Sequence, residues 1–284
     1  MGTVLGVDMA LGSISNLEGE GADALAAPYV EVQEAVRAAE IRYVDETGWK
    51  QAGKKRWLWV AATVSACLYM IHPRRNLDAL RDLLDGLART LVCDRAPFYR
   101  NWPDEMSRQY CWAHLKRNWE AMAKRGGSAK KVGEASLDVL SRVFAVWHAF
   151  LDRGGGPERL GLVERMEPLR DELIDILVAG ELSSDQRTSR FCTRLLSQYE
   201  SLWTFAAVPG VDPTNNRAER SLRRAVIWRR RSFGCHSAGG CRFVERVLTV
   251  TQTLRMQGKR SLDFMADAIA RHRSGLPAPR LLSA

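Results

Sequence analysis

Pro213-Thr214-Asn215-Asn216-Arg217-Ala218-Glu219-Arg220 is the stretch around which the chain is organised. From Thr214 to Arg231 there is one acidic residue, Glu219, among seven arginines. A lone carboxylate in such a field is either an ion-pair partner or a group visited by both a metal and a polyanion. Two structural alternatives stand beside the second reading. Asn216 and Glu219, three apart, form a capping-box-like helix start, and Glu219 is spaced to pair with Arg223 one turn on.

Working outward, two distant acids stand at the ends of apolar segments. Ile41-Arg42-Tyr43-Val44-Asp45 and Thr90-Leu91-Val92-Cys93-Asp94 each read as a short strand closed by an aspartate. Residues 57–63 alternate, with Leu58, Val60 and Ala62 on one side and Trp57, Trp59 and Ala61 on the other, and 67–71 is similar. Together with 41–45 they predict a three-stranded antiparallel meander. Asn76 is placed to cap a helix burying Leu77, Leu80, Leu83 and Leu84. Residues 108–112 read as a fifth short strand, followed by a helix carrying His114, Leu115 and Trp119.

The flanks are helical. Between about 116 and 208 the apolar residues fall at helical spacing, with breaks at 154–157 and 180–184. Their stripes predict core rather than a ligand site. Residues 240–256 and the stretch around Leu262 and Ile269 predict two more helices, separated at Gly258. Residues 1–40 are expected to be mostly helical, with Pro28 suited to a first turn. There, 12–17 reads as a surface helix or as the last helix of a helix-turn-helix. The tail from Gly275 is expected to fray.

With 284 residues and 46% apolar content, the chain has material for a real core. A net charge of +9 and a pI near 9.5 suit a polyanionic partner, or simply a basic surface. The six cysteines form no C-x-x-C pair and read as reduced thiols. No apolar run reaches a membrane span and no export signal is visible, so the cytosol is expected. The five histidines fit no Ser/His/Asp arrangement.

Neighbouring strands that each end in aspartate place two carboxylates side by side, and a third from a helix completes an oxygen shell suited to Mg²⁺. Two such ions, about 3.5–4 Å apart, support in-line phosphoryl transfer. Residue spacing alone leaves alternatives open: Asp45 as the start of a turn before Gly48, and Asp94 as the cap of 95–99.

Resemblance chooses among them. Tyr43-Val44-Asp45-Glu46-Thr47-Gly48-Trp49 with Trp57-Leu58-Trp59-Val60 resembles the first catalytic block of the insertion-sequence-66 family of bacterial transposases. Cys93-Asp94-Arg95 with Tyr99 resembles the second, and Gln109-Tyr110-Cys111-Trp112-Ala113-His114-Leu115-Lys116-Arg117 the segment after it. Thr214 to Arg223, continued by Trp228-Arg229-Arg230 and Ser232-Phe233-Gly234, resembles the third. The blocks follow family order from about Gly12 to Ile269. Arg224 stands where the pattern has proline, and Arg230 where lysine is usual.

The resemblance implies an α/β fold: a ribonuclease-H-like mixed five-stranded sheet flanked by helices, with a large all-helical insertion between the second and third catalytic acids. It divides the chain into a mostly helical remnant (1–40), the first part of the core (41–115), the insertion (116–208), the second part of the core (209–257), and a C-terminal helix and tail (258–284). It implies a DDE-type transposase with Asp45, Asp94 and Glu219 as catalytic acids and ligands of two Mg²⁺ ions, which Mn²⁺ is able to replace. DNA, as transposon ends and target, is the implied partner, with Arg217, Arg220, Arg223, Arg229, Arg230 and Arg231 as contacts and a homo-oligomer as the acting form. Cys111 and His114 are expected to support the active-site floor. Zinc is not expected there, since four ligands are wanted and no second pair is spaced for it. Trp228 is expected either to stack on an unpaired base or to be buried. A bacterial, nucleoid-associated location follows. Family members carry a longer N-terminal DNA- and zinc-binding region. A truncated form is therefore expected, and a non-enzymatic regulator that binds DNA or full-length transposase is the alternative. A ribonuclease-H-like nuclease acting on branched DNA is a further one.

Overall fold

The computed structural model describes residues 9–85, 89–103, 107–154 and 159–282. In chain order its elements are α1 (Leu11–Ala24), α2 (Ala26–Ala38), β1 (Ile41–Gln51), β2 (Lys54–Ala62), β3 (Cys67–His72), α3 (Leu77–Leu84), β4 (Thr90–Cys93), β5 (Ser107–Tyr110), α4 (Trp112–Ala123), α5 (Gly127–Asp152), α6 (Arg159–Glu181), α7 (Gln186–Leu196), α8 (Thr204–Ala207), α9 (Asn216–Ser232), α10 (Ala238–Met256) and α11 (Ser261–Arg273). The fold is mixed α/β. It divides into two compact units, residues 1–89 with 216–284, and residues 90–215.

In the first unit β1, β2 and β3 form the antiparallel meander expected from the alternation. Asp45 faces Val60 across the ladder, and pairing continues to Gln51 opposite Lys54. The strand therefore runs six residues beyond Asp45, where the sequence reading closed it, and the alternative of a turn before Gly48 is replaced by continued pairing. The reversal comes at Ala52 and Gly53, whose φ angles of 48° and 75° suit a tight two-residue hairpin. Glu46, next to Asp45, points to the opposite face of the pleat, where its buried carboxylate accepts from Arg75 at 2.6 Å. Asn76 caps α3 through Ala79, as expected.

The outer edge of β3 is closed by side chains. The backbone N–H groups of Cys67, Tyr69 and Ile71 donate to Thr253 Oγ1 at 3.0 Å, Thr249 Oγ1 at 3.0 Å and Glu245 Oε1 at 2.5 Å. Four residues of helix rise about 6 Å and two residues of strand about 6.6 Å. Acceptors at every fourth position of α10 therefore keep step with alternate donors of an antiparallel strand. A strand edge is otherwise a row of unpaired donors open to other chains. Thr249 and Thr253 are fully buried. Burial pushes the Glu245 carboxyl up to about 7, against the lowering effect of the Ile71 N–H.

The tail differs from the expectation of fraying. Leu281 is fully buried, and Glu31 of α2 accepts the N–H groups of Leu281 at 2.8 Å and Leu282 at 3.2 Å. Lys259 Nζ donates to the Leu281 carbonyl at 2.9 Å. Hydrogen bonds at Glu31 and Lys259, together with burial of Leu281, hold residues 281 and 282.

The second unit pairs β4 and β5 in parallel, with Cys93 beside Tyr110. The described part of 112–207 is otherwise helical, as the spacing predicts, although α6 runs on to Glu181, past the expected break at Gly180. The break expected at 154–157 begins with a turn at Gly154 after the end of α5, and its remainder, 155–157, lies outside the described residues. Trp112 packs edge-on against Trp119, Trp203 and Phe205, with centroids 6.0, 5.1 and 6.4 Å away. Buried Gln109 fixes β5 to this cluster, donating to the Leu202 carbonyl at 3.0 Å and accepting from Phe205 N at 2.7 Å. Helices α4 and α5 approach closely at Gly133, where a Cβ would stand 2.5 Å from Ala123 N.

Two measurements check the edge closure. Thr249→Val keeps shape but leaves the Tyr69 N–H without its acceptor, so it is expected to lower unfolding free energy by about 1–3 kcal/mol. Thr251→Val, whose hydroxyl among the described residues bonds its own helix at Val247, is expected to cost under about 0.5 kcal/mol. Equal urea midpoints for the two variants would contradict the closure. Because the folded Glu245 pKa lies above its unfolded value, its contribution is complete below about pH 4.5 and is lost as pH rises through about 7. Glu245→Gln is expected to flatten that part of the stability–pH curve.

Candidate active site

The first unit lashes α9 along β1. Arg217 lies over the Tyr43 ring at 5.3 Å. Twelve residues on, Arg229 Nη1 donates to Thr47 Oγ1 at 2.9 Å and to the Gly48 carbonyl. Twelve helical residues span about 18 Å, and the four or five strand residues from Tyr43 to Thr47 or Gly48 about 14 to 17 Å. Helix and strand therefore run in the same direction and in step.

Tyr43, Asp45 and Thr47 alternate onto one face of β1. Since α9 touches Tyr43 and Thr47, that face is the one it covers, and Asp45 lies between the two contacts. Glu219 lies between Arg217 and Arg229 on the helix. From the rises above, its level along β1 is within about one helical turn of Asp45. Both carboxylates are half-buried. Asp45 Oδ1 accepts the Glu46 N–H at 2.9 Å.

The helix itself sorts the arginines. Ala218, Ser221, Leu222 and Ala225 face inward. Arg220, Arg223, Arg224, Arg230 and Arg231 are exposed on the opposite half of the wheel, around exposed Ile227. Glu219 stands at the border of the two halves, with Arg223 one turn beyond it. Arg217 and Arg229, both half-buried, are engaged with β1, whereas Arg220, Arg223, Arg230 and Arg231 offer their charge to solvent. Trp228 is half-buried and packs edge-on against Phe243 at 6.1 Å, which fits its packed alternative.

In the second unit Asp94 follows the last residue of β4, as expected, and its Oδ1 accepts the Ala96 N–H at 2.8 Å. That is a local turn rather than a cap on 95–99, since the short 3₁₀ helix begins only at Pro97. The neighbouring Arg95 stacks over Phe191 at 4.5 Å, and burial pulls its guanidinium down to about 10. Cys111 precedes α4, and its buried sulfur accepts the Asn215 N–H at 3.1 Å, while Trp112 N donates to the Pro213 carbonyl at 3.0 Å. These bonds tie the segment before α9 to the start of α4. His114 lies in the first turn of α4, its N–H bonded to the Cys111 carbonyl at 3.1 Å. All six cysteines are buried thiols outside any disulfide, as their reading expects.

Sequence reasoning does not single out Tyr43, Thr47 or Cys235 as anchors. Cys235 N donates to the Lys50 carbonyl at 2.9 Å, and its sulfur accepts from Trp49 Nε1 at 3.2 Å. The available signal is alternation along β1, which puts Tyr43, Thr47 and Trp49 on the face of Asp45.

Arg229 and Arg230, adjacent in sequence, are expected to behave differently. Arg229→Ala removes the bonds to Thr47 and Gly48 and is expected to lower stability by about 1–3 kcal/mol. Arg230→Ala is expected to leave stability within about 0.5 kcal/mol. Equal thermal shifts would contradict this division.

A family model described as Transposase IS66 family matches residues 1–242, a span that contains Asp45, Asp94 and Glu219. Uncharacterized protein y4qI of Sinorhizobium fredii is similar at 25% identity, over 88% of this chain and 51% of that protein. The chain thus spans about half the length of this curated relative. No described helix is long and apolar enough to cross a membrane. With the family model covering most of its length, the chain belongs to the IS66 family of transposases.

Proposed function

We propose that this chain carries the catalytic machinery of a DNA transposase, which cleaves DNA at element ends and joins the freed 3′-hydroxyl to target DNA. The observation that supports the proposal is the lashing of α9 along β1, from which the level of Glu219 lies within about one helical turn of Asp45. Asp94, at the end of β4, is the third acid of the proposal, and the function requires it to join the other two. The same proposal includes a ribonuclease-H-like core in which the meander and the β4–β5 pair belong to one mixed sheet, with 116–208 as its helical insertion.

The donor chemistry fits the implied metal. Three carboxylates offer hard oxygen ligands and leave room for water, which is what Mg²⁺ prefers and Mn²⁺ accepts. The Cys111 sulfur is soft and already accepts a backbone N–H, so it is no ligand for such an ion. Bound there, two ions supply Lewis-acid stabilisation for in-line displacement at phosphorus.

The chain's own residues do the rest. Asp45 sits in a strand whose ladder with β2 continues on either side of its position, so its carboxylate has a rigid base. Glu219 is fixed by the contacts of Arg217 and Arg229 on either side of it. Arg220, Arg223, Arg230 and Arg231 bind phosphates and set the register of the DNA without reading its sequence. Cys111 and His114 position the chain that leads into α9. A multimer acting on paired DNA ends belongs to the proposal.

Asp45→Ala, Asp94→Ala and Glu219→Ala are each expected to reduce Mg²⁺- or Mn²⁺-dependent cleavage and joining to background, with duplex affinity held within a few-fold. Cleavage that survives any one of them would sink the assignment. Arg223→Ala is expected to lower the slope of log affinity against log salt by about 0.9, the release expected for one phosphate contact. An unchanged slope would remove Arg223 from the interface.

A further inference from the structure

Beside the α9–β1 seam, the first unit holds a cleft of 620 Å³ whose walls include Trp49, Lys50, Lys55, Arg229, Arg230 and Phe233. Its size suits a small organic ligand. Lys50, Lys55 and Arg230 are exposed, no acid lines the cleft, and none of its four cations is in an ion pair among the described residues. Such a lining selects an anion.

Phe233 adds a second requirement. It is 79% exposed and has φ 57°, a left-handed backbone that non-glycine residues seldom adopt. The backbone around it is tightly held. Phe233 N donates to the Arg229 carbonyl at 2.8 Å, Cys235 N to Lys50 O at 2.9 Å, and Ala52 N to Cys235 O at 2.8 Å. At Gly234 a Cβ would collide with the Lys50 carbonyl oxygen, so only glycine permits this approach. The turn is thus clamped to the β1–β2 hairpin, and an aromatic ring that burial would favour is instead presented to solvent beside four cations.

An aromatic face next to cations that no acid neutralises is the lining that binds an unstacked base together with its phosphate. In an intact duplex each base face is already covered by its neighbours. We propose that this cleft takes an unpaired nucleotide of a DNA strand, its base stacked on Phe233 and its phosphate held by Lys55 and Arg230. The proposal rests on the transposase reading only in taking DNA as the substrate.

The test uses the full chain in Mg²⁺-free buffer and two DNA duplexes of the same sequence. One is blunt, and the other ends in a three-nucleotide overhang carrying 2-aminopurine. The overhang is expected to raise affinity about 5- to 150-fold, the range for stacking one base, and binding is expected to quench the 2-aminopurine. Phe233→Ala is expected to remove both effects and to keep blunt-duplex affinity within twofold. Phe233→Gly, which suits the left-handed backbone, is expected to match it, and Phe233→Trp to restore both. Equal affinity of the wild type for the two duplexes would overturn the proposal. So would an equal loss on both in the Phe233→Gly variant, or competition by free dAMP as effective as by the overhang. Because binding is read without metal, failure of the catalytic assignment would leave the overhang preference standing, and loss of that preference would leave cleavage untouched.

Discussion

The arrangement depends on one constraint, the seam between α9 and β1. An arginine ring contact at one end and two arginine hydrogen bonds at the other hold a helix and a strand in parallel and in step. The spans agree because twelve helical residues and four or five strand residues cover nearly the same length. A helix free to slide by one turn would carry Glu219 about 5 Å along the strand. The two arginines prevent this with contacts to groups that are neutral on the strand side, the Tyr43 ring, the Thr47 hydroxyl and the Gly48 carbonyl.

The same unit shows how the supporting scaffold is made stiff. The outer edge of β3 is covered by hydroxyl and carboxyl acceptors from α10, and Leu281 is held by Glu31 and Lys259. The hairpin between β1 and β2 is pinned by Cys235. Elements remote from the acids in sequence thus brace the sheet that carries Asp45. The arginines of α9 divide accordingly: two are built into the seam, and five remain exposed on the opposite face.

Much of this was legible in the residues. Alternation pointed to the three strands of the meander, helical spacing to the helices of 112–207, and β4 stops where an acid was expected to close it. The end of β1 was not legible, because an aspartate after an apolar run looks like a strand terminus, and only pairing with β2 shows that Glu46 to Gln51 continue the ladder. The order of the tail was hidden too, since two backbone donors meeting one distant carboxylate leave no local pattern. Seven arginines in eighteen residues read as one basic field. Their separation into seam and surface depends on which side of the helix meets the sheet, and composition carries no such information. The exposure of Phe233 depends on a positive φ that the neighbouring glycine alone does not predict.

In the proposed function the α9–β1 seam presents Asp45 and Glu219 to a common ion, and that function requires Asp94 to join them. Anomalous diffraction from crystals soaked in Mn²⁺ tests it most directly. Manganese peaks bonded to carboxylate oxygens of Asp45, Asp94 and Glu219 are expected, at roughly the 2.0–2.2 Å of a hard divalent ion on oxygen. Manganese bound elsewhere, with these three carboxylates uncoordinated at saturating ion, would contradict it.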